Sequence, residues 1–207
     1  MRKQLLSVAL GLSMLAATGV QAAETRLAPI PPEKYDADQK KAVAEFEAVR
    51  KTGISGPWIP LLRNPEIMNG ARTMGDYLRY RASIGPRLTE FTILTIAREW
   101  TIDFEWATHA PNALKLGVPQ ETLDALSDGR RPTTMTDDEA ICYDFTMELL
   151  RNKRVSDATY DRALKKFGEK GVVDLIGFNG YYALLAMTFN TARIAATDGK
   201  KMPRFPD

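Results

Sequence analysis

The sequence has little cysteine and little histidine, with one of each among 207 residues. The lone Cys142 excludes an intramolecular disulfide and a Cys-x-x-Cys redox centre. The lone His109 excludes zinc sites built from several histidines and cysteines, and no bound metal is expected. The sequence also has no Gly-x-Ser-x-Gly elbow and no glycine-rich phosphate loop, which argues against serine hydrolases and P-loop enzymes.

Two further absences bear on fold and partners. No stretch alternates apolar and polar residues over a useful strand length, so we predict an all-α fold with about seven or eight helices. No basic block is interleaved with aromatic residues, so nucleic acid is not an expected partner. Cys142 lies in an apolar helical stretch, which indicates buried filler rather than a reactive thiol.

The first 22 residues form a predicted signal peptide. Arg2 and Lys3 precede an apolar stretch from Leu5 to Val20, and Val20-Gln21-Ala22 has the small residues that signal peptidase reads. Residues 23–207 are then one mature domain of about 185 residues, expected in the periplasm or outside the cell. No membrane association is expected after cleavage. Without Arg2 and Lys3 the 28 basic residues fall to 26, which equals the number of acidic residues.

Cap and breaker residues predict the helix boundaries. Asp36 or Asp38 caps a first helix that Gly53 ends, and Asn64-Pro65 begins a helix over about 65–82. Thr136 to Glu139 matches a capping box. The other predicted helices cover roughly 88–101, 104–117, 119–126, 136–152, 157–167 and 171–196.

The chain has its densest set of titratable groups between Leu88 and Gly117. A tight break at Thr101–Asp103, with Asp103 as the candidate cap, separates two helices and makes them an antiparallel pair. On the second helix Pro111 is expected to disturb the regular hydrogen bonding.

Glu105 and His109 are four residues apart, so they share one face of that second helix. Glu90 in the first helix could approach the same face. An imidazole beside carboxylates is a tunable proton donor or acceptor near neutral pH. From the spacing alone, a hydrogen-bonded core histidine with solvated glutamates explains the pattern at least as well.

A resemblance favours the acid–base interpretation. Glu90, Arg98-Glu99, Glu105-Trp106 and His109, followed by Ala113 and Gly117, resemble the core of the carboxymuconolactone decarboxylase family. That family has the all-helical AhpD-like fold and assembles as trimers or hexamers. In its peroxidase branch a glutamate, a Cys-x-x-Cys and a histidine form a proton relay. Here Ile102 and Glu105 occupy the cysteine positions, so the sequence resembles a cysteine-free branch.

The resemblance implies a lyase, a decarboxylase of small cyclic or unsaturated carboxylic acids or lactones, that needs no cofactor. His109 would carry the proton, with Glu90 and Glu105 as its catalytic partners. Candidate substrate-binding residues are Trp58, Trp106, Arg98 and Tyr181. A homo-oligomer, trimer or hexamer, is expected. A non-catalytic small-molecule-binding or assembly protein remains an alternative, and a peroxidase-like antioxidant protein is a weaker one.

Overall fold

The computed structural model describes residues 25–196 and Met202, and the signal-peptide prediction therefore lies outside the described residues. Within them the regular structure is helical and contains no strand, which confirms the predicted all-α class. A short 3₁₀-helix, Pro32–Lys34, precedes eight α-helices: α1 (Ala37–Arg50), α2 (Trp58–Leu61), α3 (Pro65–Arg81), α4 (Pro86–Glu99), α5 (Asp103–Lys115), α6 (Gln120–Ser127), α7 (Asp137–Asn152) and α8 (Asp157–Ala192).

Side-chain caps begin four of these helices at residues that the sequence singles out or offers as alternatives. Asp36, not Asp38, caps α1 and forms a reciprocal capping box with Gln39. Asn64 and Ser156 accept hydrogen bonds from the third backbone N–H of α3 and α8, and Thr136 caps α7 in a second capping box. Each cap satisfies a backbone N–H that a helix end would otherwise leave unpaired.

Three boundaries differ from prediction. The first helix ends before Lys51, which takes a left-handed conformation (φ 58°), so Gly53 is not needed as a stop. Ile102, rather than Asp103, occupies the cap position of α5, and the Asp103 carboxylate instead accepts the backbone N–H of Met202 at 2.8 Å. The apolar Trp58–Leu61 stretch, which lies between the first two predicted helices, is a single helical turn whose Trp58 is buried in the core.

The centre of the fold is α4, in which every residue from Leu88 to Arg98 is buried. It packs against α3, α5, α6, α7 and α8, so its whole circumference lies against protein. The apolar side chains gain the burial free energy of a core, whereas the polar ones on α4 need partners inside the domain. Glu90 is one of these buried polar groups.

The last two predicted helices join into one long α8. Gly168 has non-helical torsions (φ 66°, ψ 178°), so the bend lies where the sequence predicts a helix end. Among residues 25–196, α8 is the one helix that is long and apolar enough to cross a membrane. However, 56% of its apolar stretch is buried inside the protein, where α8 packs against α2, α3, α4 and α7.

Pro111 lies inside α5 without ending it. The helix continues to Lys115 although proline cannot donate a backbone hydrogen bond. The expected disturbance does not interrupt the helix. The packing of α5 against α4 keeps the segment helical on both sides of Pro111, because tertiary contacts outweigh the loss of one backbone hydrogen bond.

Candidate functional site

The α4–α5 hairpin brings Glu90 and His109 together. The two residues lie on opposite arms at similar distances from the turn at Trp100–Ile102, so an antiparallel pair places them side by side. His109 Nδ1 lies 2.6 Å from Glu90 Oε2. On the other edge of the ring, His109 Nε2 lies 3.1 Å from Glu105 Oε2, one turn earlier in α5. The imidazole is therefore held between two carboxylates.

This arrangement restricts where protons can reside. A neutral imidazole has one N–H donor and one bare nitrogen, and a bare nitrogen would face a carboxylate lone pair. Both contacts become hydrogen bonds when His109 is an imidazolium, or when one carboxyl group carries the proton instead. Either way Glu90, His109 and Glu105 share two protons and a net charge of −1.

The triad, defined as Glu90, His109 and Glu105, is buried. His109 is 2% exposed, Glu105 6% and Glu90 9%. Burial alone would lower the pKa of His109, but hydrogen bonds and charge attraction from Glu105 and Glu90 outweigh it and hold that pKa above its usual value. The two carboxyl groups thereby favour the imidazolium over the neutral ring. The edge of Tyr182 completes the packing, with ring centroids 5.9 Å apart.

A cavity of about 390 Å³ opens onto one side of the triad. Glu105 and His109 are part of its lining, whereas Glu90 is not. The volume falls within the range of about 300–1,000 Å³ that is typical of small-molecule sites. Of the triad, Glu105 and His109 could therefore contact a bound molecule, and Glu90 lies behind the ring as a supporting group.

The four expected substrate-binding residues divide into two pairs. Trp58 and Tyr181 line the cavity, from α2 and α8. Trp106 is half-buried against the core and is not among the lining residues. Arg98 is buried at the far end of α4 and borders a different, very small pocket beside Glu99 and Arg151. The structure therefore gives no support to a substrate-binding role for Trp106 or Arg98.

The cavity also has two arginines that the sequence analysis missed. Arg50 from α1 lies over the Trp58 ring, 4.6 Å from its centroid, and its Nε donates to Asp76 Oδ1 at 3.0 Å. Arg79 from α3 is the second lining arginine. Its place on the buried side of α3 could have been predicted from the sequence, because Arg79 follows Gly75, which is buried, by four residues. Nothing in the sequence says what that side faces.

Cys142 behaves as predicted from its apolar neighbours. It is fully buried in α7, and burial raises the pKa of its thiol to about 12. Such a thiol stays protonated at neutral pH and is a poor nucleophile. Among the described residues no group of three or more histidine, cysteine, aspartate or glutamate side chains is arranged to hold a metal ion. Both nitrogens of His109 already face carboxylates.

The fold is similar to that of a solved bacterial protein. An uncharacterized peroxidase-related protein from Silicibacter sp. TM1040 superposes with a TM-score of 0.61 at 11% sequence identity, over 88% of this chain and 95% of that one. At this identity the similarity concerns the fold alone. No protein-family model and no curated protein sequence matches the chain.

Proposed function

We propose that the protein is a cofactor-free acid–base enzyme of the carboxymuconolactone decarboxylase type, acting on a small cyclic or unsaturated carboxylic acid or lactone. The observation that carries the proposal is the imidazole of His109 held between two buried carboxylates at the wall of a cavity. A buried core histidine can also have a partner at each ring nitrogen, so the proposal depends on the cavity that Glu105 and His109 line. Family membership rests on the resemblance around Glu90 and His109 together with the shared helical fold.

The proposed chemistry begins when the bond between the substrate's α-carbon and its carboxyl group breaks. The electron pair passes into the adjacent conjugated system as an enolate, and CO₂ leaves. The imidazolium of His109 then gives its Nε2 proton to the substrate carbon, with Glu105 relaying it or holding the ring in place. Solvent restores that proton, and Glu90 keeps the ring oriented through Nδ1. An isomerase or another lyase would use the same proton path.

A test that does not require the natural substrate uses deuterium exchange. The protein is incubated in D₂O with a panel of small unsaturated acids and γ-lactones, and NMR follows deuterium entering beside the carbonyl and loss of the carboxyl group. We expect exchange or decarboxylation with at least one compound, and a loss of about 100-fold or more in Glu105→Gln, as general acid–base groups contribute. Glu121→Gln, an exposed change on α6, is the matched control. No exchange with any compound would argue for a non-catalytic binding protein.

The peroxidase-like alternative has one supporting observation, the description of the solved structure with the similar fold as peroxidase-related. A thiol peroxidase needs an accessible thiolate. Cys142 is the single cysteine of the chain, and it is buried with a pKa of about 12. Peroxide consumption that survives Cys142→Ser would revive this alternative by a route independent of sulfur.

A further inference from the structure

The two arginines of the cavity are held differently. The Arg50 guanidinium has its own carboxylate, since both Nε and Nη2 lie within 3.0 Å of Asp76 Oδ1. It also stacks on Trp58, so it serves to fix α1 and α2 against α3. Asp76 is shared with Arg72, at 3.6 Å. Arg50 is therefore engaged in a network that would exist without any ligand.

Arg79 has no such partner. No carboxylate of the described residues lies within ion-pair distance of its guanidinium, and its buried Nε has no hydrogen-bond partner among them. Its recorded contact is with the ring of Tyr80, 5.4 Å away. Because Arg79 lines the cavity and has no carboxylate partner there, its guanidinium can take an anionic acceptor from a ligand in the cavity.

The charges around the cavity also favour an anionic acceptor beside Arg79. Burial alone would lower the pKa of Arg79, but attraction to Tyr182, Tyr80, Glu90 and Glu105 keeps it raised. Arg79 thus remains a cation close enough to the acidic side chains of Glu90 and Glu105 to be attracted by them. An anionic ligand entering this cavity would be repelled by Glu105 unless it met a cation. Arg79 can supply that cation without breaking an existing ion pair.

We infer that Arg79 binds the carboxylate of a small planar acid in this cavity and is the residue that selects acids over their neutral analogues. A guanidinium matches a carboxylate with two parallel hydrogen bonds. Trp58 and Tyr181 provide aromatic walls for a planar ring beside it. The inference rests on the proposed function only in taking the cavity as the substrate site. It concerns binding and requires no turnover.

The competing explanation is that Arg79 only balances the charge of Glu90 and Glu105. The two explanations predict different effects of Arg79→Met on the binding affinity for a charged ligand and for a neutral ligand of the same shape. The probes are benzoate and benzamide, which have nearly the same shape and differ in charge. Binding is measured by calorimetry on the whole mature protein at one pH. Arg79→Lys tests whether a positive charge alone is enough for the preference for benzoate. The control is Arg81→Met, on the same helix but outside the cavity lining.

We expect wild type and Arg81→Met to bind benzoate at least about tenfold more tightly than benzamide, as a hydrogen-bonded charge pair implies. Arg79→Met should lose that preference while its benzamide affinity changes little, and Arg79→Lys should keep part of it. Equal affinities in wild type, or a preference that survives Arg79→Met, would overturn the inference. So would phenyl phosphate binding much more tightly than benzoate, because it would identify a phosphate site.

The benzoate-binding test and the isotope-exchange test of the proposed function can fail independently of each other. Selective benzoate binding without any isotope exchange in D₂O would leave Arg79 as an acid-binding residue in a non-catalytic protein. Exchange that depends on Glu105, in a protein whose benzoate preference survives Arg79→Met, would keep the enzyme and remove this inference.

Discussion

At the scale of single residues, His109 is the group on which the others depend. Glu90 and Glu105 are buried carboxylates, and each would be costly to bury as an anion without a donor. The imidazolium supplies a donor to both, so three groups that would each be unfavourable alone stabilise one another. The contacts from Glu105 and Glu90 that raise the pKa of His109 are therefore also contacts that stabilise the fold.

The raised pKa of His109 predicts that stability depends on pH in a defined direction. Because the folded-state pKa lies above the ordinary value of 6.5, the contribution is complete below about pH 6.5 and is lost as the pH rises through the folded-state pKa. We expect a loss of roughly 1–3 kcal/mol in unfolding free energy across that range. The measurement is urea unfolding of wild type and Glu90→Gln at several pH values. The loss should be smaller in the variant, and identical pH profiles would contradict the prediction.

At the scale of helices, α3 and α8 approach closely because α3 presents glycine to a tyrosine. A Cβ at Gly75 would lie 2.2 Å from the hydroxyl oxygen of Tyr181, which is 2% exposed and packed edge-on against Tyr182. Tyr181 also lines the cavity. The spacing of these two helices therefore fixes one wall of the candidate site.

Gly75→Ala is expected to destabilise the protein relative to Gly70→Ala, which is the matched control in the same helix. Nothing lies within 4 Å of a Cβ at Gly70, so alanine there should gain up to about 1 kcal/mol of helix propensity. At Gly75 the same gain in helix propensity is opposed by a clash with Tyr181 that costs about 1–3 kcal/mol. Thermal unfolding of both variants gives the comparison. Equal stability of the two would mean that Tyr181 moves aside freely.

The sequence determined the helices better than it determined the site. Local signals such as Asp36, Asn64-Pro65 and the Thr136–Glu139 box depend on neighbouring residues, so they could be located without the fold. The Glu105–His109 pair followed from helical spacing, and Glu90 was placed with it from the predicted hairpin and the family resemblance. Arg79 could not be placed, because its role depends on which helices face α3. Arg98, a candidate substrate ligand, borders a different pocket, and the sequence does not show which pocket a buried arginine lies beside.

At the scale of the whole molecule, the described surface has an unpartnered apolar stripe along α8. Val173 is 64% exposed, Ile176 51% and Met187 49%, and these residues recur at helical spacing on one side. Met74 of α3, 41% exposed, lies beside this stripe near Gly177. Homo-oligomer formation, as a trimer or hexamer, remains a prediction, and this stripe is the described surface that we expect it to bury.

The oligomer prediction is tested by light scattering on the mature protein at micromolar concentration. Wild type is expected to have the mass of three or six chains. Val173→Glu should shift it toward the monomer, because a charge would be buried in the contact. Tyr160→Glu, an exposed aromatic on α8 before the bend at Gly168, is the control. A monomeric wild type would contradict the prediction.

Export is also a prediction at this scale, since it rests on residues 1–22 alone. The mature protein is expected to begin at Ala23 and to be found in the periplasm or the medium. Intact mass of the protein recovered after expression with its own N-terminus checks this. Retention of Met1 would place the protein in a different compartment.

The proposed proton transfer depends most directly on the protonation state of His109, which can be measured by NMR because the chain contains no second histidine. The ring signals are followed against pH in wild type, Glu90→Gln and Glu105→Gln, with and without benzoate. We expect the wild-type midpoint to lie above 6.5, to fall in both variants, and to move when benzoate binds. A midpoint at the ordinary value in all three proteins, insensitive to benzoate, or a ring that stays neutral throughout, would contradict a proton-transfer site at His109.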